Sequence, residues 1–145
     1  MKRPPWDIFG QIKSGAVVGV DLDIAAREIA GPDRTLGAAE AQIDLRDFGQ
    51  PVRLYAGYRD WLASLRTMMV AAQRITGGLR LQLDGDRAKT RVPVVCYVTM
   101  EIDGARTLTS TGLFYNDVLA RTADGWRIVE RYEELAWSGA PWPLG

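Results

Sequence analysis

The second half of the chain is a series of strand-like segments separated by turn signals. Four segments carry alternating or β-branched side chains, and they lie at residues 79–83, 87–101, 106–122 and 126–135. Asp84-Gly85-Asp86 and Asp103-Gly104 separate them with the short polar and glycine combinations that tight hairpin turns need. Strands joined by such turns pair with their neighbours, so this half predicts a meander of long antiparallel strands.

An amphipathic segment precedes the strands. Between residues 57 and 72, apolar side chains recur at three- and four-residue spacing with charged residues between them, which predicts a helix that buries one face. Residues 41–49 predict a short strand that ends in a loop. Pro93 has no amide hydrogen to donate and therefore predicts an edge position or a bulge in its strand. A helix followed by a meander indicates the α+β fold class.

Residues 1–40 are harder to assign than the rest of the chain. Residues 12–30 favour one helix and part of another, but Gly15, Gly19 and the Gly31-Pro32 pair interrupt any long helix. The chain has 145 residues, which is the size of one domain, so a single domain over residues 1–145 is predicted.

The residue counts exclude several kinds of chemistry. The chain has no histidine and one cysteine, which rules out Ser-His-Asp triads, Cys-His pairs, histidine metal sites and internal disulfides. Cys96 lies in the apolar run 92–98, where a cysteine usually packs as a small hydrophobe. Acid–base chemistry must therefore use carboxylates, tyrosines, arginines or lysines. An oxygen-only magnesium or calcium site stays open on these counts, although the sequence has no DxDxDG loop, and we predict no metal and no cofactor.

Charge and hydropathy limit the partners. Lys and Arg number 18 and Asp and Glu number 18, which is not the electrostatic pattern of a nucleic-acid-binding protein. Apolar runs are too short to span a membrane, and the N-terminus lacks the apolar core of a signal peptide. We therefore expect a cytoplasmic protein with neither a nucleic-acid partner nor a membrane partner.

The segment TADGWRIVERYEELAW (122–137), preceded by Tyr115-Asn116-Asp117, resembles the C-terminal strands of SnoaL-like proteins. These belong to the nuclear-transport-factor-two-like superfamily, with scytalone dehydratase, ketosteroid isomerase and limonene epoxide hydrolase as relatives. Further matches at 41–49, 57–60 and 81–92 extend the resemblance over residues 41–137. The resemblance implies a cone of curved antiparallel sheet around helices, a deep apolar pocket and a homodimer. Residues 1–40 depart from the family pattern.

One mechanism known in the family depends on the residue type at the position of Arg74. Scytalone-dehydratase-like members have a histidine at the position that Arg74 occupies here. An arginine cannot exchange a proton near neutral pH, so the His-Asp dehydratase mechanism is not expected. Arg74 would then bind an anionic substrate or an oxyanion. The alternative is a solvated residue at the end of the helix.

A second mechanism is only partly matched. Limonene epoxide hydrolase-like members use an Asp-Arg-Asp arrangement of catalytic residues. In this sequence, Arg91 matches the arginine and Glu133 matches one of the two carboxylates. The other acid would fall at Pro93, so the arrangement is incomplete. Spacing leaves the substitute acid open, and the candidates are Asp44, Asp47, Asp117 and Glu130.

Glu133 is the first candidate for a catalytic acid or base, with Arg91 orienting or polarising. An apolar surround would raise the pKa of Glu133 towards a useful value. The alternative is a structural ion pair across adjacent strands, between Glu133 or Asp117 and Arg127 or Arg131. Strict alternation divides the last strand into one face with Val129, Arg131, Glu133 and Leu135, and another with Trp126, Ile128, Glu130 and Tyr132.

Asp44 and Asp47 are candidates for the second carboxylate, because family members often place a pocket carboxylate in this segment. Alternatively, Asp47 caps the turn at Phe48-Gly49.

Aromatic side chains are expected to contact the ligand together with Arg74, and the candidates are Tyr55, Trp61, Tyr97, Tyr115, Tyr132 and Trp137. The tail 137–145 cannot be helical, and it is expected either to cover the pocket as a lid or to lie at a subunit interface.

These features favour a cofactor-free acid–base enzyme of the isomerase, dehydratase, cyclase or epoxide hydrolase type. Its substrate would be a small apolar molecule in a deep pocket. Two alternatives stay open, since the same fold hosts both. One is a non-catalytic protein that binds a hydrophobic ligand, and the other is an interaction subunit without chemistry of its own.

Overall fold

The computed structural model describes residues 37–123 and 125–144, so the helices expected within residues 12–30 lie outside the described residues. The described chain forms an eight-stranded sheet with one α-helix and a short 3-10 turn at Arg46–Phe48. In chain order the elements are β1 Gly37–Asp44, β2 Arg53–Leu54, α1 Tyr55–Leu65, β3 Met69–Thr76, β4 Arg80–Asp84, β5 Arg87–Ile102, β6 Ala105–Thr122, β7 Gly125–Ser138 and β8 Trp142–Leu144.

The sheet is curved and mixed, in the order β2-β1-β7-β6-β5-β3, with β4 also beside β5 and β8 also beside β6. The antiparallel meander expected from the sequence is confirmed for β4, β5, β6 and β7, in which each strand pairs with the next. Two further strands join it out of chain order, because β3 pairs antiparallel with β5 and β8 with β6. The exception is β1, which lies parallel to β7 and thereby makes the sheet mixed. The α+β class is confirmed, because one helix accompanies this large sheet.

The β5–β6 hairpin is the centre of the sheet. Its pairing is continuous from Arg87 opposite Ala120 to Ile102 opposite Ala105. The connecting residues have positive φ angles, 51° at Asp103 and 78° at Gly104. This is the backbone that a two-residue hairpin turn requires, and an aspartate followed by glycine accommodates it well. The predicted turn is confirmed.

Pro93 lies at a gap in the sheet. On one side of β5, strand β4 pairs as far as Arg91 and β3 begins pairing at Val94, so neither strand needs an amide hydrogen from Pro93. The Pro93 carbonyl accepts a hydrogen bond from the Gly77 amide at 2.8 Å. Pro93 is therefore tolerated in a long central strand because its neighbour on that side is interrupted.

The predicted helix over residues 57–72 was too long. The helix ends at Leu65, and Met69–Thr76 forms β3 instead. The β3 strand pairs with β5 from Met69 opposite Met100 to Thr76 opposite Val94. Pairing with β5 satisfies the backbone of this segment, and that tertiary contact outweighs its local helical spacing.

The two faces of the sheet carry different chemistry. Pairing places Glu133 opposite Tyr115 and Arg131 opposite Asp117, and these side chains define the Glu133 face. The alternate residues define the Arg91 face, where Asn116 lies opposite Arg91. Tyr58 of α1 contacts Glu133, so the helix lies over the Glu133 face.

A β-bulge in β7 corrects one sequence expectation. Glu130 lies opposite Val118 and Ile128 opposite Leu119, so Val129 is an extra residue without an opposite partner. Trp126 and Ile128 therefore join the Glu133 face, and both are buried. Strict alternation had assigned them to the other face.

The apolar core lies on the Glu133 face in two clusters. One cluster, called the Leu119 cluster here, consists of the buried residues Leu81, Ala88, Leu119, Trp126 and Ile128. The other consists of Val92, Val94 and Leu113, with Phe48 of the 3-10 turn and Tyr115 packed against it. The second cluster provides an apolar surround for the polar residues of β6 and β7.

The C-terminal tail is not helical, as predicted, but it does not form a lid within the described residues. Trp142–Leu144 forms β8, which pairs with the beginning of β6 in the plane of the sheet. Trp142 is 70% exposed. Among the described residues, the tail therefore extends the sheet beyond the end of β7 instead of folding over the Glu133 face.

Candidate functional site

Glu133 is a buried carboxyl group near the middle of β7. Its residue is 7% exposed, and the Tyr58 hydroxyl donates a hydrogen bond to Glu133 Oε1 at 3.2 Å. Within residues 37–123 and 125–144, no arginine or lysine forms a salt bridge with this carboxyl. Glu133 therefore has a neutral hydrogen-bond partner rather than a charged one.

The pKa of Glu133 is raised, chiefly because burial disfavours the ionised carboxylate. The positive charges of Arg131 and Arg74 and the Tyr58 hydrogen bond oppose this effect without cancelling it. Burial and then the Glu133 charge raise the pKa of Tyr115 to about 12, and the pKa of Tyr58 is raised by the same two causes. Both phenols are therefore protonated donors near neutral pH.

Arg131 and Asp117 form a buried ion pair beside Glu133. Arg131 Nε and Nη2 each donate to an Asp117 carboxylate oxygen at 2.8 Å, and the Asp117 side chain has no exposed surface. The Arg131 guanidinium also lies 4.1 Å from the centroid of the Tyr115 ring. The structural pairing considered for Asp117 is confirmed, and the arginine is held by both neighbours.

Arg74 brings a second guanidinium to the same site. It lies within β3 opposite Cys96, so the expected location at the end of the helix was wrong. Although Arg74 is exposed as a whole residue, it interacts with Tyr115, Cys96 and Tyr58. Proximity to Tyr115 is the largest cause of its raised pKa, so the group is cationic at any ordinary pH.

The Glu133 face thus combines groups with distinct chemical capacities. Glu133 can accept or release a proton, the phenols of Tyr58 and Tyr115 can donate hydrogen bonds, and Arg74 can bind an anionic oxygen. Val92, Val94 and Leu113 form the buried apolar core beside these groups. Such a combination suits proton transfer on an organic molecule.

Arg91 does not lie with Glu133. It is on the opposite face, where Arg91 Nη1 donates to Glu134 Oε2 at 2.5 Å and to Asn116 Oδ1 at 2.6 Å. Its guanidinium also lies 3.8 Å from the centroid of the Phe114 ring. The expectation that Arg91 orients Glu133 is therefore contradicted by the sheet register, which assigns Arg91 to the next residue, Glu134.

Asp44 and Asp47 bind other groups than Glu133. The Asp44 carboxylate pairs with Arg46, which lowers the pKa of Asp44. Asp47 accepts a hydrogen bond from the Tyr132 hydroxyl at 2.8 Å and another from the Leu135 amide at 3.0 Å. Asp47 thereby continues the hydrogen bonding to β7 beyond the end of β1, which is a structural role beyond the turn cap considered for it.

The remaining aromatic candidates lie in different places. Tyr115 is at the site, while Tyr132 contacts Asp47 on the other face. Trp61 of α1 lies 6.0 Å from Tyr58 between ring centroids, which places it near the site. The others are Tyr55 at the start of α1, exposed Tyr97 on the Arg91 face, and Trp137, which lies over Gly112 on that face.

Tyr58 is the site residue that the sequence predictions missed. It was assigned only to the apolar stripe of the helix. A tyrosine within a buried stripe needs a partner for its hydroxyl, and that requirement was the available signal. Arg131 was considered only for structural pairing, although it also lies against Tyr115.

The described residues contain neither a cluster of metal-ligand side chains nor a membrane-spanning helix. Among these residues, no group of three or more Cys, Asp or Glu side chains is arranged to hold a metal ion. The one described α-helix, α1, is too short to cross a membrane.

The large curved sheet with a helix over one face agrees with the α+β fold that the sequence resemblance implies. The SnoaL-like domain model matches residues 34–132. Because that match covers more than half of the chain, the protein belongs to the SnoaL-like domain family.

Sequence relatives come from mycobacteria. Uncharacterized proteins of Mycobacterium bovis and Mycobacterium tuberculosis are each 34% identical over 95 residues. The match covers 65% of this chain and 63% of each relative, so it spans less than two thirds of their length.

Solved structures with similar folds have low sequence identity. A Kribbella flavida protein has a TM-score of 0.65 at 23% identity, covering 81% of this chain and 84% of that chain. A hexachlorocyclohexane dehydrochlorinase has a TM-score of 0.63 at 16% identity, covering 77% and 72%. A putative scytalone dehydratase of Novosphingobium aromaticivorans has a TM-score of 0.61 at 13% identity, covering 86% and 80%. At these identities the likeness shows the fold.

Proposed function

We propose that the protein is a cofactor-free acid–base enzyme that acts on a small, mainly apolar organic molecule bound at the Glu133 face. The observation that carries this proposal is the buried Glu133 carboxyl, which has a phenol as its partner instead of a cation. Structural carboxylates in this sheet are paired with arginines, as Asp117 is with Arg131. A buried carboxyl without such a pair is suited to exchanging its proton.

In the proposed mechanism, Glu133 is the general base that removes a proton from a carbon of the substrate. The raised pKa makes its carboxylate a stronger base than an exposed glutamate. Tyr58 holds one carboxylate oxygen in place through its hydrogen bond. The protonated Glu133 then returns the proton to another atom of the substrate or to the leaving group, as in an isomerisation or an elimination.

Two facts support elimination or isomerisation. The chain has no histidine, so the proton must be carried by a group such as Glu133. Structures with the same fold include a dehydrochlorinase and a putative scytalone dehydratase, whose names describe eliminations. Epoxide opening is less well supported here, because Arg91 lies on the other face and is paired with Glu134.

The test begins with a thermal-shift screen of epoxides, hydroxyketones, steroids and polycyclic aromatics, followed by product analysis for every ligand. A bound compound stabilises the fold by about 2.7 kcal/mol at a hundred times its Kd, which a melting curve detects. For a converted compound, Glu133→Gln should lower kcat by about 10²- to 10⁴-fold, the usual contribution of a general base.

Glu130→Gln is the matched control. Glu130 is on the same strand, is exposed and faces away from the site, opposite Val118. Its turnover should equal that of the parent protein. Near-parental turnover by Glu133→Gln would contradict the proposal. Ligands that bind but are returned unchanged would support the alternative of a non-catalytic binding protein.

A further inference from the structure

Arg74 differs from the other arginines that lie over the sheet. Arg131 is paired with Asp117 and Arg91 with Glu134. In the described ranges, 37–123 and 125–144, no carboxylate forms a salt bridge with Arg74. Its neighbours are instead the uncharged side chains of Tyr115, Cys96 and Tyr58. A guanidinium has five N–H donors in a planar fork, and these neighbours cannot neutralise its charge.

Glu133 is the carboxyl that could balance Arg74, but burial raises its pKa and so disfavours its ionised form. The two groups interact electrostatically without forming a salt bridge. Asp117 cannot serve instead, because both of its oxygens are bound by Arg131. When Glu133 is protonated, the described part of the site therefore carries one positive charge without a counter-charge.

We propose that the ligand of this site carries an anionic oxygen group, such as a carboxylate, that is bound by Arg74 on the Glu133 face of the sheet. This inference rests on the proposed function for the location of the ligand. The fork of a guanidinium matches the two oxygens of a carboxylate. The phenol of Tyr115, which lies near the same guanidinium, supplies a further donor.

Binding of such an anion should depend on pH through Glu133. The groups that face Glu133 are Tyr58 of α1, Tyr115 and Asp117 of β6, Arg131 of β7 and Arg74 of β3. The phenols and guanidiniums keep their charge states below about pH 8, and Asp117 is paired with Arg131. Ionised Glu133 would place a second negative charge near the ligand, so affinity should fall as Glu133 loses its proton.

The test uses 2-naphthoate and its uncharged amide, 2-naphthamide, as probes in titration calorimetry with the full chain. Below the raised pKa of Glu133, the parent protein should bind naphthoate about ten- to a hundredfold more tightly than the amide, as expected for a charge-assisted hydrogen bond. The preference should decrease as pH rises through that pKa. Arg74→Gln should remove the preference, and Arg74→Lys should retain part of it.

Two variants complete the design. Arg66→Gln removes an exposed arginine from the turn after α1, with the same change of net charge, and should leave naphthoate binding unchanged. Glu133→Gln keeps the position uncharged and should make naphthoate binding independent of pH. Circular dichroism and urea unfolding confirm that each variant is folded.

Three results would overturn the inference: equal binding of the two probes, naphthoate binding that persists in Arg74→Gln, or binding of neither probe. Failure of the proposed enzyme activity is recognised separately. If naphthoate binding requires Arg74 but no compound in the substrate screen is converted, the anion site is supported and the enzyme proposal is contradicted.

Discussion

At the scale of single residues, neighbouring charges on β7 have different roles because of their partners. Arg131 is bound by a carboxylate through two hydrogen bonds, and Glu134 on the other face is bound by Arg91. Glu133 lies between them in the sequence, and its hydrogen-bond partner among the described residues is the phenol of Tyr58. A buried ion pair mainly satisfies its own charges, whereas a buried carboxyl without a cation keeps a chemically useful proton.

The Asp117–Arg131 pair should be essential for stability. Asp117→Asn retains the shape of the side chain but leaves the Arg131 charge without a counter-charge. The free energy of unfolding should fall by about 3–5 kcal/mol, measured by urea denaturation. Glu101→Gln breaks the exposed pair with Arg106 and should cost no more than about 1 kcal/mol. Equal losses for both variants would contradict this view of the buried pair.

Tyr58 should set the pH dependence of activity. Its hydrogen bond favours the ionised form of Glu133, so Tyr58→Phe should raise the pKa of Glu133 further. If ionised Glu133 is the base, kcat/KM rises with pH as Glu133 loses its proton. In Tyr58→Phe this rising limb of the pH profile should move to higher pH, measured with any converted substrate. Tyr97→Phe changes an exposed tyrosine on the other face and should leave the limb in place. A limb that moves to lower pH would contradict the assigned hydrogen bond.

The sequence allowed part of this site to be predicted. Glu133, Tyr115 and Arg74 were all named as candidates, and the structure brings them together. The predicted link from Glu133 to Arg91 was wrong because it depends on which face each residue occupies, and a motif match does not contain that information. Tyr58 was missed because helix spacing shows only that a side chain faces inward, not which distant residue it meets.

At the scale of elements, turn residues were better predictors than apolar spacing. Asp103 and Gly104 determine a turn by their local backbone preferences, and the predicted hairpin is present. The apolar spacing of residues 57–72 fits a helix, but its last part pairs with β5 as a strand. The difference is physical, because a turn depends on neighbouring residues while a strand depends on a distant partner.

Gly112 should control the position of the C-terminal strand end. A Cβ atom on Gly112 would overlap the indole of Trp137. Gly112→Ala should therefore displace Trp137, change tryptophan fluorescence and lower the unfolding free energy by about 1–3 kcal/mol.

Gly57→Ala is the control for this variant, since a Cβ atom there meets nothing within 4 Å. Gly57 lies in α1, so the change should stabilise the protein by about 0.5–1 kcal/mol. Unchanged fluorescence in Gly112→Ala would contradict the close packing of Trp137 on the strand.

At the scale of the whole molecule, stability should decline on both sides of mildly acidic pH. The pKa values of Asp44 and Glu134 are lowered, chiefly by hydrogen bonds from Arg46 and Arg91. Their contributions are present above the ordinary carboxyl pKa and are lost as pH falls through the lowered values. The pKa of Glu133 is raised by burial, so its contribution is present below the ordinary value and is lost as pH rises through the raised value.

Urea unfolding of Glu133→Gln tests this pH profile. The variant should lose less stability than the parent protein as pH rises above the ordinary carboxyl range of about 4.3, because glutamine has no proton to release. Parallel profiles for the two proteins would contradict a raised pKa at Glu133.

The homodimer expected from the family resemblance stays a prediction at this scale. Sedimentation analysis over a range of protein concentrations would test it. A mass near twice 16.1 kDa at micromolar concentration is the expected result, and a single monomeric species throughout would contradict it.

The β7 bulge has a consequence for length variation among related chains. Deleting Val129 would remove the extra residue while keeping Trp126 and Ile128 on the same face as Glu133. A gap of one residue in the middle of a central strand would normally exchange inside and outside. Here the deletion would leave every side chain on its present face of the sheet. The number of residues between the Leu119 cluster and the acid–base residues can therefore vary by one.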